Sequence, residues 1–164
     1  MPIKQLIHKD KAVPLPRMKK INDYRKLFEA TPTSTLADLK STYRNFMKAY
    51  HPDKFQDETA KAEAEDKSRE MIEAYHFLVS IAPETIEALM PEFKETIMTF
   101  NISDFDYKGQ VLEITFLNGS SYEFFNVPKN TYIKLVNSDS PARFAKRHIY
   151  NEFTFRKVSS VELA

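Results

Sequence analysis

The stretch Leu36-Ala37-Asp38-Leu39-Lys40-Ser41-Thr42-Tyr43-Arg44-Asn45-Phe46-Met47-Lys48-Ala49-Tyr50-His51-Pro52-Asp53 leaves little freedom in how it folds. Leu36, Leu39, Tyr43, Phe46 and Tyr50 recur at alternating spacings of three and four, which places them in one stripe of an amphipathic helix. Thr35-Leu36-Ala37-Asp38 has the form of a capping box, with a hydroxyl for free backbone N–H groups and a carboxylate one turn in. Pro52 lacks an N–H and pushes His51 out of the helical region, so the helix is expected to stop at about Tyr50. Lys40, Arg44 and Lys48 follow one another at intervals of four and form a positive row along one side. The stretch therefore reads as a basic rod ending on His51-Pro52-Asp53.

The flanking segments complete a small helical unit. Asn22-Asp23-Tyr24-Arg25-Lys26-Leu27-Phe28 opens with capping residues and sets Tyr24, Leu27 and Phe28 on one side of a short helix. Thr31-Pro32-Thr33-Ser34 is the connection. After Phe55-Gln56-Asp57-Glu58, a long helix is expected from about Thr59 to Val79. Ala60, Ala64, Met71, Ala74, Tyr75 and Leu78 keep helical spacing along it, and a dense set of charges covers the outside.

Tyr43-Arg44 with Tyr50-His51-Pro52-Asp53-Lys54 resembles the second helix and HPD loop of the J-domain, the module of DnaJ-type co-chaperones. Asp23-Tyr24 with Leu27 is similar to that family's first helix, with Arg25 where a second Tyr often stands. The run from Glu70 to Leu78, with Ala74-Tyr75, is similar to its third. The family's fourth-helix Lys-Arg…Tyr-Asp pattern is missing, and Ile81-Ala82-Pro83-Glu84 follows instead. The resemblance implies an antiparallel helical hairpin that docks on a DnaK-type chaperone ATPase. In that role Asp53 accepts charge-assisted hydrogen bonds from a partner arginine, Pro52 fixes the turn and His51 braces it. Lys40, Arg44 and Lys48 then meet an acidic surface; their other reading is a solvated helix face. Asn45 and Ala49 stand where the family usually has more positive charge.

Composition narrows the rest. At 164 residues, 42% hydrophobic and 13% aromatic, the chain has material for packed cores. A net charge of +1 provides no global attraction to nucleic acid or membrane, so any electrostatic partner reads a local patch. With no cysteine there is no disulfide, thiolate metal site or cysteine nucleophile. His8, His51, His76 and His148 lack ligand spacing, so neither a metal nor another cofactor is expected. No second carboxylate is placed to orient His51 and no nucleophile lies nearby in sequence, which argues against an enzyme. No apolar run of signal-peptide or membrane-spanning length is visible, and a cytoplasmic protein without membrane contact is the expectation. Residues 1–21, with Lys4, Lys9, Lys11, Arg17, Lys19 and Lys20 against Asp10, read as a basic extension with an extended Val13-Pro14-Leu15-Pro16 piece.

Beyond the helical unit, Glu84 to Glu95 reads as a connecting helix broken or kinked at Pro91. From about Thr99 the pattern changes to strands. Phe100, Ile102, Phe105 and Tyr107 precede a Lys108-Gly109 turn, and Leu112, Ile114 and Phe116 alternate with Glu113 and Thr115. Asn118-Gly119 marks a hairpin, and the returning strand sets Tyr122 and Phe124 on one face with Ser121 and Glu123 on the other. Short helices follow at Asn130 to Val136 and after Ser140-Pro141, and Asn151 to Lys157 closes with Phe153 and Phe155 in strand alternation.

This half is similar to the KTSC domain. Asp104-Phe105-Asp106-Tyr107, Leu112-x-Ile114-x-Phe116-x-x-Gly119, Tyr122-x-Phe124, Val127-Pro128, Tyr132 and Leu135 carry the likeness. Phe124 replaces the second Tyr of the family's Tyr-x-Tyr, and Ser140-Pro141-Ala142-Arg143-Phe144 replaces its Ser-x-Gly before an aromatic. An RNA-binding role is suspected for that family. On that reading Tyr122 and Phe124 are a base-stacking platform, and Arg143, Lys146 and Arg147, with Arg156 and Lys157, a basic patch. The competing reading puts the two aromatics in the core and leaves the charges as ordinary surface.

The sequence thus predicts an α+β chain: basic extension 1–21, J-domain 22–82, helical linker 83–97 and KTSC-like α+β domain 98–164. The expected function is that of a co-chaperone that stimulates ATP hydrolysis by a DnaK-type chaperone and has no catalytic site of its own. Its C-terminal domain would target it or bind a client protein. The alternative is an RNA- or ribosome-associated binding protein acting through the C-terminal domain.

Overall fold

The computed structural model describes residues 17–158, which form six α-helices, one 3-10 turn and a four-stranded antiparallel sheet, an α+β architecture. Residues 1–16, which hold most of the expected basic extension, and residues 159–164 lie outside the described residues. Helix α1 spans Arg17–Phe28, so Asn22 and Asp23, expected to open it, lie inside it. The earlier start brings Ile21 into the core at 2% exposure, a gain that outweighs the local capping preference. The helix ends with Ala30 N–H donating to the Arg25 carbonyl and Glu29 N–H to that of Lys26, with Glu29 at φ 50°.

Helix α2 spans Leu36–Tyr50, the bounds expected from its cap and its proline. Asp38 N–H donates to Thr35 Oγ1 at 3.1 Å, and Thr35 N–H donates to Asp38 Oδ2 at 3.0 Å, closing the capping box. Helix α3 spans Glu58–Ser80 and is capped by Asp57, whose Oδ2 accepts from Ala60 N–H at 3.0 Å. Tyr43 stacks on Tyr75 at 4.5 Å between centroids, while Tyr50 meets Ser68, so α2 and α3 run antiparallel. Tyr24, Phe28, Leu39, Met71, Ala74 and Leu78 fill the space between the three helices. Burial of each of the larger apolar side chains contributes about 1.5–3 kcal/mol.

Helix α4 spans Pro83–Thr99 and runs through Pro91, where the sequence predicts a break or kink. An internal proline costs about 3 kcal/mol. Phe93, two residues on, is 1% exposed and stacks on Phe155 at 4.3 Å, with Tyr122 at 5.0 Å and Tyr150 at 5.7 Å. Its burial, with ring contacts of about 0.5–1.5 kcal/mol each, offsets that cost. The segment read as a linker therefore supplies the centre of the second core.

Strands β1 (Ile102–Lys108), β2 (Val111–Phe116), β3 (Ser121–Phe125) and β4 (Phe155–Val158) pair in sequence order. Ile102 pairs with Phe116 but Asp104 with Thr115, a bulge that returns Ile102, Phe105 and Tyr107 to the core side. Gly109 and Gln110 both take positive φ, the two-residue turn that suits a twisted hairpin. Strand β4 begins at Phe155, so Phe153 precedes it in a bend rather than alternating within it. Helices α5 (Lys129–Val136) and α6 (Pro141–His148) lie between β3 and β4 in the chain. Leu112, Ile114, Phe116, Tyr122, Phe124 and Phe155 pack with Phe93, Leu135, Ala145, Ile149 and Tyr150. Val111 and Phe125, on the opposite face, join the helical core of the first half.

Candidate functional site

The end of α2 is built by one residue with two jobs. His51 N–H donates to the Met47 carbonyl at 3.1 Å and ends the helix. Its Nδ1 accepts from Asp53 N–H at 3.2 Å and starts a 3-10 turn over Pro52–Lys54, with Pro52 in first position. Lys54 N–H donates to the His51 carbonyl at 3.0 Å and Phe55 N–H to that of Pro52 at 3.1 Å. The Asp53 side chain is 84% exposed and that of His51 47%, with 3.5 Å between Nδ1 and Oδ2. Asp53 thus presents its carboxylate to solvent from a turn held by backbone bonds.

Helix α2 carries Lys40, Arg44 and Lys48, all exposed. Tyr50, expected within the buried stripe, is 41% exposed and stacks on Phe46 at 4.8 Å. It sits where the hairpin opens toward the turn, so its ring is only partly covered. Its other neighbours are not legible in the sequence. The Ser68 hydroxyl donates to the Tyr50 carbonyl at 3.4 Å, and Lys67 lies over the Tyr50 ring at 5.3 Å. The Lys54 ammonium donates to the Lys48 carbonyl, placing a cation at the negative end of α2. Its place directly after the His-Pro-Asp run is the one signal that points to Lys54.

The C-terminal residues singled out for nucleic acid do not come together. Tyr122 and Phe124 are each 0% exposed, packed around Phe93, so the base-stacking platform is corrected to a core pair. Burial pushes the Tyr122 hydroxyl pKa up, with Thr96 beside it acting in the opposite sense. Arg143, Lys146 and Arg147 are exposed on α6. Arg156 turns instead to Glu123, at 2.9 Å, and Lys157 to Glu92, so neither extends the α6 patch. Glu92 holds the Lys157 ammonium pKa above its ordinary value. Among the described residues no helix is long and apolar enough to cross a membrane, and no cluster of three or more acidic or histidine side chains could hold a metal ion.

A family model described as the DnaJ domain matches residues 23–84, and one described as the KTSC domain matches residues 100–153. No curated protein matches the chain.

Proposed function

We propose that this chain, a DnaJ domain followed by a KTSC domain, docks through α2 and the His51–Asp53 turn on a DnaK-type chaperone and stimulates its ATP hydrolysis. The observation that carries this reading is the exposed Asp53 carboxylate, held by its own amide on His51, at the end of a helix with three exposed cations. Asp53 would accept charge-assisted hydrogen bonds from an arginine of the partner. Lys40, Arg44 and Lys48 would attract an acidic surface and speed encounter. His51 and Pro52 would hold the turn in place. The chain supplies no chemistry to ATP in this reading; it alters the partner's rate by binding. The C-terminal domain would bring the pair to a client or target.

Titration of the ATP-bound chaperone with the wild-type chain and with Asp53→Asn tests the reading. Loss of one charged hydrogen bond, about 1.5–3 kcal/mol, predicts binding weaker by about ten- to hundredfold. Equal affinity for the two proteins would contradict it.

A further inference from the structure

The two halves meet around one cation. Phe77 of α3 lies 5.4 Å from the Tyr24 ring of α1 and 5.6 Å from the Phe125 ring of β3, edge to face in the second case. The Arg156 guanidinium of β4 sits over Phe77 at 4.5 Å and 5.8 Å from the Phe125 centroid. The same group donates from Nε at 3.2 Å and Nη2 at 2.9 Å to Oε1 of Glu123, whose side chain is 5% exposed. Val111 and Phe125, each 1% exposed, pack in the cluster that holds Ile21, Tyr24, Met71 and Leu78. A second tie runs through α4. Glu84 Oε1 accepts from Leu36 N–H at 2.8 Å, at the start of α2, and Thr85 Oγ1 donates to the Val79 carbonyl at 2.6 Å. Phe93 and Thr96 of that same helix are buried in the second half.

We propose that Arg156 clasps the C-terminal sheet to α1 and α3, so that the His51 turn projects from the C-terminal domain at one fixed orientation. The planar cation does three things at once: it neutralises a buried carboxylate, covers Phe77 and aligns the sheet face against the helices. Such an arrangement is direction-specific in a way that apolar contact alone is not. It follows that the sheet face bearing Val111, Phe125 and Arg156 is taken up within the chain. A partner of the C-terminal domain must then use its remaining surface, such as α5 and α6. The inference is independent of the chaperone reading.

The chain has no cysteine, so two introduced ones can be labelled without background. Lys61→Cys on α3 and Asn130→Cys on α5 place spin labels at exposed positions on either half. Pulsed electron paramagnetic resonance on the full chain is expected to give one narrow distance distribution. Arg156→Glu, which sets like charge against Glu123, and Phe77→Ala, which removes the seat from the other side, are each expected to broaden it. Circular dichroism identifies which variants remain folded. A broad distribution in the parent would overturn the proposal, and so would an unchanged narrow one in either folded variant. If Arg156→Glu disrupts the sheet itself, Phe77→Ala decides.

Discussion

His51 Nδ1 accepts the Asp53 amide at 3.2 Å while the His51 amide closes α2 on Met47, so one side chain and its own backbone join a helix to a turn. The Asp53 side chain is 84% exposed and that of His51 about half-exposed, so the bond shapes the turn more than it stabilises the fold. His51→Ala is therefore expected to cost about 0.5–1.5 kcal/mol in denaturant unfolding, leaving a folded protein. A loss of several kcal/mol would show that His51 is part of the core instead.

The capping box at the other end of α2 predicts a pH dependence. The Asp38 carboxyl is held below its ordinary value of 3.8, first by the backbone bond from Thr35 and then by the Thr35 side chain. A carboxylate with a lowered folded pKa stabilises above the unfolded value, and that contribution is lost as pH falls through the folded one. The window thus opens just below 3.8 and extends downward. Thr35→Ala is expected to raise the Asp38 pKa part of the way back, seen by carbon-13 NMR titration. It should also cost about 1 kcal/mol at neutral pH through the lost helix cap.

The cationic row of α2 predicts a kinetic effect. Reversing Lys40, Arg44 or Lys48 to Glu should slow association with the chaperone and flatten its dependence on salt, with little change in stability. Stopped-flow association at low and physiological ionic strength measures this. The same change at Lys61, on the outer side of α3, is the control expected to have the smaller effect.

Helix α4 predicts where the second core is centred. Phe93→Ala is expected to destabilise by about 3–5 kcal/mol, because the ring is 1% exposed and is surrounded by Phe155, Tyr122 and Tyr150. Thermal or denaturant unfolding reads it. A cost below about 1 kcal/mol is the outcome expected of an unpacked connection.

What can be read from the sequence is local. The bounds of α2 follow from Thr35, Asp38 and Pro52, all within a turn of the ends they set. The turn geometry at His51 follows from Pro52 in the same way. Partners distant in sequence are not readable. The start of α1 depends on Ile21 finding Leu39, Met71 and their neighbours, and the passage of α4 through Pro91 depends on Phe93 finding Phe155. Glu123 reads as a residue for a solvated sheet face. It is 4% exposed because the helices of the first half cover that face and Arg156 neutralises it. Strand alternation shows which residues share a face, and cannot show what will pack on it.

The most direct test of the central claim is single-turnover ATP hydrolysis by a DnaK-type chaperone, measured with the wild-type chain and with His51→Gln side by side. The account predicts stimulation by the wild type that is lost in the folded variant. Equal rates with the two proteins, whether stimulated or not, would contradict it.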